Sequence, residues 1–190
     1  NYLESIRNPF QYYKKLADQS IHRLNEEQLR WQFNPESNSI AIIMRHIAGN
    51  LHSRFTDFLT SDGEKPWRNR DQEFEATLLT YEELLDYWEH GWIRLFEAID
   101  MCKSEDLERL VYIRNEGHTI MEAFNRQLAH YPYNIGQIVY IARLLKGESW
   151  QSLSIPKNQS TSYNQEKFDQ ENIFIDLGSC LLYTSPSPRD

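Results

Sequence analysis

The stretch Ile40-Ala41-Ile42-Ile43-Met44-Arg45-His46-Ile47-Ala48 is the apolar centre of a predicted helix that starts between Ser37 and Ser39 and ends near Thr60. Apolar residues recur along this helix at spacings of three and four, which is typical of one buried helix face. The stripe consists of Ile40, Ile43, Ile47, Leu51, Phe55, Phe58 and Leu59. A stripe of this length needs other helices to cover it.

Three further amphipathic helices are predicted over residues 9–24, 81–101 and 119–146. Pro9 suits the first turn of its helix, and capping boxes at Thr80 and Thr119 open the later two. Gly147 should end the last helix, and Pro132 should kink it near Leu128 by removing a backbone donor. Four long helices with little strand predict an all-α protein, an antiparallel four-helix bundle.

The connections between these helices differ in length. Residues 61–77 form a long predicted loop after the second long helix, and long loops in compact domains are often functional. Its charged residues are equally typical of a solvated loop. Val111-Tyr112-Ile113 is predicted as an extended linker or a small edge strand. One domain is expected over residues 1–168, followed by a disordered or artefactual tail over 169–190.

The tail prediction rests on residues 180–190. This string is similar to one reading frame of a transposase adapter used in sequencing libraries. The alternative is a natural Ser/Pro-rich disordered segment.

Composition excludes several classes of partner. The chain has 190 residues and a net charge of -8, which argues against nucleic-acid binding because phosphates need clustered Lys and Arg. No apolar run reaches the roughly 18 residues of a membrane span, so no membrane partner is expected. The two cysteines form no disulfide framework. A soluble, cytoplasmic protein is therefore expected.

A candidate metal site is predicted from two helices. His130 and Asn134 lie four residues apart, so they project from the same helix face. His46 lies in a comparable apolar setting on another helix. Together His46, His130 and Asn134 outline a three-ligand set with an open position, which is typical of catalytic metal sites. The alternative is that both histidines are polar residues satisfied within the bundle.

Other residues are candidates for substrate binding. Arg45, Asn50 and Arg54 lie one to two turns along the helix of His46 and could bind an anionic group, although an exposed salt-bridged face is the alternative. Gln137, one turn beyond Asn134, could bind a ligand or serve as a surface amide. His118 could reach the site if its linker folds inward.

Several strings resemble a known family. Arg45-His46-Ile47-Ala48-Gly49-Asn50, Arg54-Phe55-Thr56-Asp57-Phe58-Leu59, Asp62-Gly63-Glu64-Lys65-Pro66-Trp67 and Leu153-Ser154-Ile155-Pro156 are similar to an uncharacterised bacterial branch of the DinB/YfiT-like metalloenzyme superfamily. The resemblance covers roughly residues 5–165. It implies an up-down-down-up DinB-like four-helix bundle, often a homodimer, with a divalent metal on three histidines. Characterised relatives activate a low-molecular-weight thiol such as bacillithiol or mycothiol.

The resemblance carries over to this chain in part. His46 and His130 match two of the family's ligands, while Asn134 stands where a third histidine is usual. An amide oxygen is a weaker donor to Zn or Ni, the expected metals, than an imidazole. The resemblance thus implies a metal-dependent thiol transferase or hydrolase-like enzyme acting on a small-molecule thiol or electrophilic substrate. The alternative is a metal-free bundle that serves as a binding or dimerisation module.

Overall fold

A computed structural model describes residues 1–75 and 79–170. These residues form six α-helices and one two-stranded antiparallel sheet, so the predicted helical class is confirmed. The helices are α1 (Tyr2–Ile21), α2 (Glu26–Arg30), α3 (Ile40–Phe55), α4 (Tyr81–Met101), α5 (Ile120–Lys146) and α6 (Ser160–Phe168), and the strands are β1 (Leu110–Ile113) and β2 (Glu116–Thr119). The tail predicted over 169–190 lies outside the described residues from 171 onward. Within the described ranges, every helix is too short or too polar to cross a bilayer.

Helix α3 lies at the centre of the core. All of its residues except Arg45 and His52 are buried, which is typical of a helix covered on every side. It packs against α4 and α5, while α1 packs mainly against α5. Gly91 allows the close approach of α4, since a Cβ there would lie 3.3 Å from the Cα of Ala48. Four polar side chains of α3 are buried as well: His46, Asn50, Ser53 and Arg54.

Local capping signals explain where the long helices begin. The side chain of Ser39 accepts a hydrogen bond from the Ile42 amide, and Thr80 and Thr119 each form the predicted capping box. Helix α4 has the predicted bounds, and α5 begins directly after Thr119 and ends before Gly147, which has a φ of 52°. Pro132 lies inside α5 as predicted.

Other boundaries differ from the predictions. Helix α1 begins at Tyr2, because Asn1 caps it in a capping box with Glu4, and Pro9 therefore lies inside the helix and not in its first turn. Helix α3 ends at Phe55 and not near Thr60, because Thr56 is extended and Asp57 adopts a φ of 50°. The short helix α6 lies in a segment for which no element was predicted.

The extended segment at Val111 is one strand of a hairpin. Strand β1 pairs with β2, with Val111 opposite His118. Arg114 and Asn115 make the turn and both have positive φ values. The all-α prediction is correct for the main elements and omits this small sheet.

The long connection between α3 and α4 is attached to this hairpin. The carboxylate of Asp62 accepts hydrogen bonds from the backbone amides of Arg114 (2.9 Å) and Asn115 (2.7 Å). The Gly63 amide donates to the Tyr112 carbonyl at 2.8 Å. Further along, Asp71–Phe74 forms a 3-10 turn that packs on α3. The connection is therefore held at two points, and its second half lies against the face of α3 that carries His46.

Candidate functional site

Two histidines from different helices meet in the core. His46 lies in the middle of α3 and His130 in the middle of α5, and their Nε2 atoms are 3.3 Å apart. The rings are nearly perpendicular, with an interplanar angle of 88°. The structure thus brings together two of the three predicted ligands, which are separated by 84 residues in the sequence.

A carboxylate holds the far side of the His46 ring. Glu73, in the 3-10 turn of the connection, places Oε2 2.9 Å from Nδ1 of His46. Arg68 donates to the same carboxylate through Nε (2.8 Å) and Nη2 (2.9 Å). Burial raises the pKa of Glu73, but the hydrogen bonds from His46 and Arg68 outweigh it, so the pKa is lowered overall. The ionised carboxylate accepts the Nδ1–H of His46, which leaves the Nε2 lone pair facing His130.

His130 is a neutral imidazole at neutral pH. Burial lowers its pKa to about 4, and electrostatic interactions with the neighbouring His46 ring and with the guanidinium groups of Arg54, Arg68 and Arg126 lower it further. A neutral ring has one nitrogen free to accept a hydrogen bond or to bind a metal ion. Both rings can therefore offer a lone pair, or one ring can donate to the other.

Gly49 makes room for the carboxylate of Glu73. A Cβ at this position in α3 would lie 2.8 Å from Cδ of Glu73 and 3.4 Å from the hydroxyl of Tyr87. Glu73 cannot easily withdraw, because Arg68 and His46 both bind it and it is only 5% exposed. The close approach of this carboxylate to the helix therefore requires a glycine.

Both histidines line a cavity of about 430 Å³. Its walls come from α3, α5, the connection and the hairpin turn, and its polar lining consists of Asn50, Arg54, Arg68, Arg70, Arg114, Arg126, Gln127 and the two histidines. Asn50 accepts a hydrogen bond from the buried hydroxyl of Tyr131 at 3.0 Å. Gln127 lies one turn before His130 and is only 2% exposed, so the cavity wall carries a nearly buried carboxamide.

The remaining predicted residues lie in different places. Asn134 is buried, but its Nδ2 donates to the carbonyl of His130 at 2.9 Å, and it is absent from the lining of the described cavity. Gln137 likewise bonds to its own helix, at Tyr133. Arg45 lines a separate cavity beyond Arg68 and Glu73.

His118 is also absent from the lining of the described cavity that contains the two histidines. It sits on β2, and its Nε2 is buried without a hydrogen-bond partner in the described part of the chain. Asn50 and Arg54, by contrast, line the cavity that contains the two histidines, and their role in substrate binding remains a prediction. The candidate set thus divides between this cavity and other parts of the fold.

Three contributors were missed from the sequence: Glu73, Arg68 and Gln127. The first two lie in the long connection, whose charges were equally consistent with a solvated loop. Phe74 next to Glu73 packs on the ring of His46, with the ring centroids 4.7 Å apart. An aromatic residue beside charged residues in a long loop was the available signal that this part of the connection is buried.

The donor set fits a metal ion in part. Two ring nitrogens at about 2.0–2.1 Å from one tetrahedral ion are roughly 3.3–3.4 Å apart, which matches the 3.3 Å separation of the Nε2 atoms. Within residues 1–75 and 79–170, however, no group of three or more His, Cys, Asp or Glu side chains is arranged to hold a metal. A third protein ligand would have to be a carboxamide, from Gln127 or Asn134.

Comparison with known proteins shows the family of this chain. A family model described as "Protein of unknown function (DUF1572)" matches residues 1–159, so the chain belongs to the DUF1572 family. A search of curated proteins gives no match.

Proposed function

We propose that this member of the DUF1572 family is a divalent-metal-dependent enzyme with a DinB-like four-helix bundle. The observation that carries the proposal is the Nε2–Nε2 separation of 3.3 Å between His46 and His130, with Glu73 behind one ring. Metal-binding histidines commonly donate their second N–H to a carboxylate, which fixes the tautomer and the ring orientation. Glu73 fills that role for His46.

The proposed ligands are His46, His130 and one carboxamide. Asn134 is the candidate from the sequence, and it would have to exchange its bond to the His130 carbonyl for the ion. Gln127 is the alternative, because it lines the cavity on the same helix. With two imidazoles and an amide oxygen, Zn or Ni would bind more weakly than at three histidines.

A bound divalent ion would supply Lewis-acid chemistry, lowering the pKa of a thiol or water. Glu73 keeps the lone pair of His46 directed into the cavity, and Arg68 keeps Glu73 ionised and in place. The surrounding arginines would orient the electrophilic substrate. We propose transfer to a low-molecular-weight thiol or a hydrolase-like reaction, in a cytoplasmic homodimer.

A second candidate is a metal-free binding or dimerisation module. The amide of Asn134 is engaged with its own helix, and the two rings satisfy each other when His130 donates through Nε2 to His46. In that case the cavity would bind a ligand without catalysing a reaction.

Metal content separates the two candidates. The full chain, purified without chelator or histidine tag, is analysed for metals beside His46→Gln, His130→Gln and the matched surface control His90→Gln. About one ion per chain in the wild type and in His90→Gln, lost in both core variants, supports the metalloenzyme. Absence of metal from the wild type after incubation with Zn or Ni would exclude it and leave the binding module.

A further inference from the structure

The cavity beside His46 and His130 concentrates positive charge. Five arginines line it, although the whole chain has a net charge of -8. The side chains of Arg54 and Arg68 are almost fully buried, at 7% and 2% exposed. Holding guanidinium groups in a partly desolvated wall is costly unless anions compensate them.

The protein compensates these charges only in part. Glu64 lies 3.3 Å from Arg54, 3.5 Å from Arg68 and 3.3 Å from Arg114, and Glu73 forms the bidentate pair with Arg68. Among residues 1–75 and 79–170, Glu64 and Glu73 are the carboxylates that form ion pairs with any of the five guanidinium groups. Asp62 adds a third carboxylate, which interacts with Arg54 and accepts the backbone amide of Arg114. The guanidinium groups around the cavity still outnumber these carboxylates.

Two of the arginines make no ion pair within the described part of the chain. Arg126, on α5 one turn before His130, has no carboxylate partner among residues 1–75 and 79–170. The guanidinium of Arg70 stacks on Phe74 at 5.1 Å and likewise contacts no described carboxylate. Both are exposed, so they form the rim of the cavity while Arg54 and Arg68 form its wall.

We infer that this cavity binds a small molecule carrying at least two anionic groups, carboxylates or phosphates. As the substrate class of the proposed metal centre, the inference rests on the function proposed above. Guanidinium groups bind both kinds of anion through paired N–H donors, and a cavity of about 430 Å³ is within the size range of small-molecule sites. A neutral or cationic molecule would leave the excess charge unpaired.

The arrangement also orients such a molecule. The anionic groups would meet the exposed arginines Arg70 and Arg126 and, at the hairpin turn, Arg114, all of which line the same cavity as the histidines. The part between them would then face His46 and His130, with the carboxamide of Gln127 available as a hydrogen-bond partner. Anionic groups at the rim would thus place an uncharged reacting centre at the histidine pair.

The test measures anion binding to the metal-stripped full chain by calorimetry. The probes are pyrophosphate and tricarballylate, with dimethyl succinate as the uncharged control. Arg70→Gln/Arg126→Gln removes the two rim arginines, and Arg94→Gln/Arg143→Gln removes two exposed arginines elsewhere for the same change in net charge. We expect saturable binding of at least one anion, weakened about tenfold or more in the rim variant and less than twofold in the control.

Each outcome has one meaning. Preference for pyrophosphate or for tricarballylate identifies the phosphate or carboxylate class. No saturable anion binding, equal weakening in both double variants, or equal binding of dimethyl succinate would overturn the inference. Because metal is absent from this assay, a protein that binds metal but no anion refutes only the anionic substrate. If the protein binds the anion but no metal, the anion site is supported and the proposed metal-dependent enzyme is refuted.

Discussion

Replacing Gly49 by alanine tests whether the glycine is what allows Glu73 to reach His46. The added Cβ would lie 2.8 Å from Cδ of Glu73, closer than carbon atoms pack without displacement. Glu73 must then move away from α3. Movement lengthens its bonds to His46 and Arg68, which are now 2.8–2.9 Å long.

Gly136 provides a matched control for the magnitude. It lies in the interior of α5, where a new Cβ would meet nothing within 4 Å. Both substitutions gain about 1 kcal/mol from helix propensity, so that contribution cancels in the comparison. Overpacking costs about 1–3 kcal/mol, and a weakened hydrogen bond to a charged group costs about 1.5–3 kcal/mol. We therefore expect Gly49→Ala to be about 2.5–6 kcal/mol less stable than Gly136→Ala.

Urea unfolding followed by circular dichroism measures the difference, with the slope of the transition checked for equality between the two variants. Imidazole ¹⁵N chemical shifts of His46 provide a second measurement, since a ring that has lost its carboxylate partner redistributes its proton between Nδ1 and Nε2. Equal stability of the two variants, with unchanged His46 shifts, would refute the argument that Gly49 positions Glu73.

Three further predictions concern single side chains. Asn134→His should raise Zn affinity by roughly tenfold or more, because imidazole is the better ligand, and competition with a fluorescent chelator would measure it; unchanged affinity would exclude position 134 as a ligand. Asp62→Asn should cost about 1–3 kcal/mol at pH 7, because its carboxylate accepts three backbone hydrogen bonds. Burial raises the pKa of Asp62, but the three backbone donors lower it by more, so the pKa in the folded protein is below its usual value. The carboxylate therefore stabilises the fold above the pKa of the unfolded chain, and this stabilisation is lost as the pH falls through the folded pKa. The stability difference between Asp62→Asn and wild type should shrink below about pH 4, and a constant difference would contradict this account. Burial raises the pKa of Cys102 to about 11, with a further contribution from Asp106, so in a Cys180→Ser background its thiol should react with a disulfide reagent at pH 8 far more slowly than in the unfolded chain; equal rates would be inconsistent with a buried thiol.

Local signals explain the parts of the fold that could be predicted. Thr80 and Thr119 each form a capping box with the glutamate three residues later. The starts of α4 and α5 are therefore encoded within a single turn of sequence. Strand β2 carries no such signal, since Glu116, Gly117 and His118 have no alternating apolar pattern. It becomes a strand because β1 pairs with it.

The candidate site also contains residues that a local sequence pattern predicts and residues that no such pattern predicts. His46 and His130 could be paired from the sequence because each lies in an apolar helical run, whereas Glu73 reaches His46 through a folded connection that no periodic pattern describes. Asn134 was paired with His130 by helical spacing alone. Helical spacing determines the helix face from which a side chain projects but not its hydrogen-bond partner. The amide nitrogen of Asn134 donates to the backbone carbonyl of His130. The metal ligands therefore remain predictions.

The spacing of the site residues along the chain orders their assembly during folding. Arg68 and Glu73 are 5 residues apart and His46 and Glu73 are 27 apart, while His130 joins across 84 residues. Contacts that close shorter loops cost less chain entropy, and a growing chain presents its N-terminal part first. We therefore expect that a nascent chain that has not yet produced α5 can close the carboxylate onto His46. The second imidazole then arrives at a partner whose orientation is set, and its docking completes both the core and the cavity.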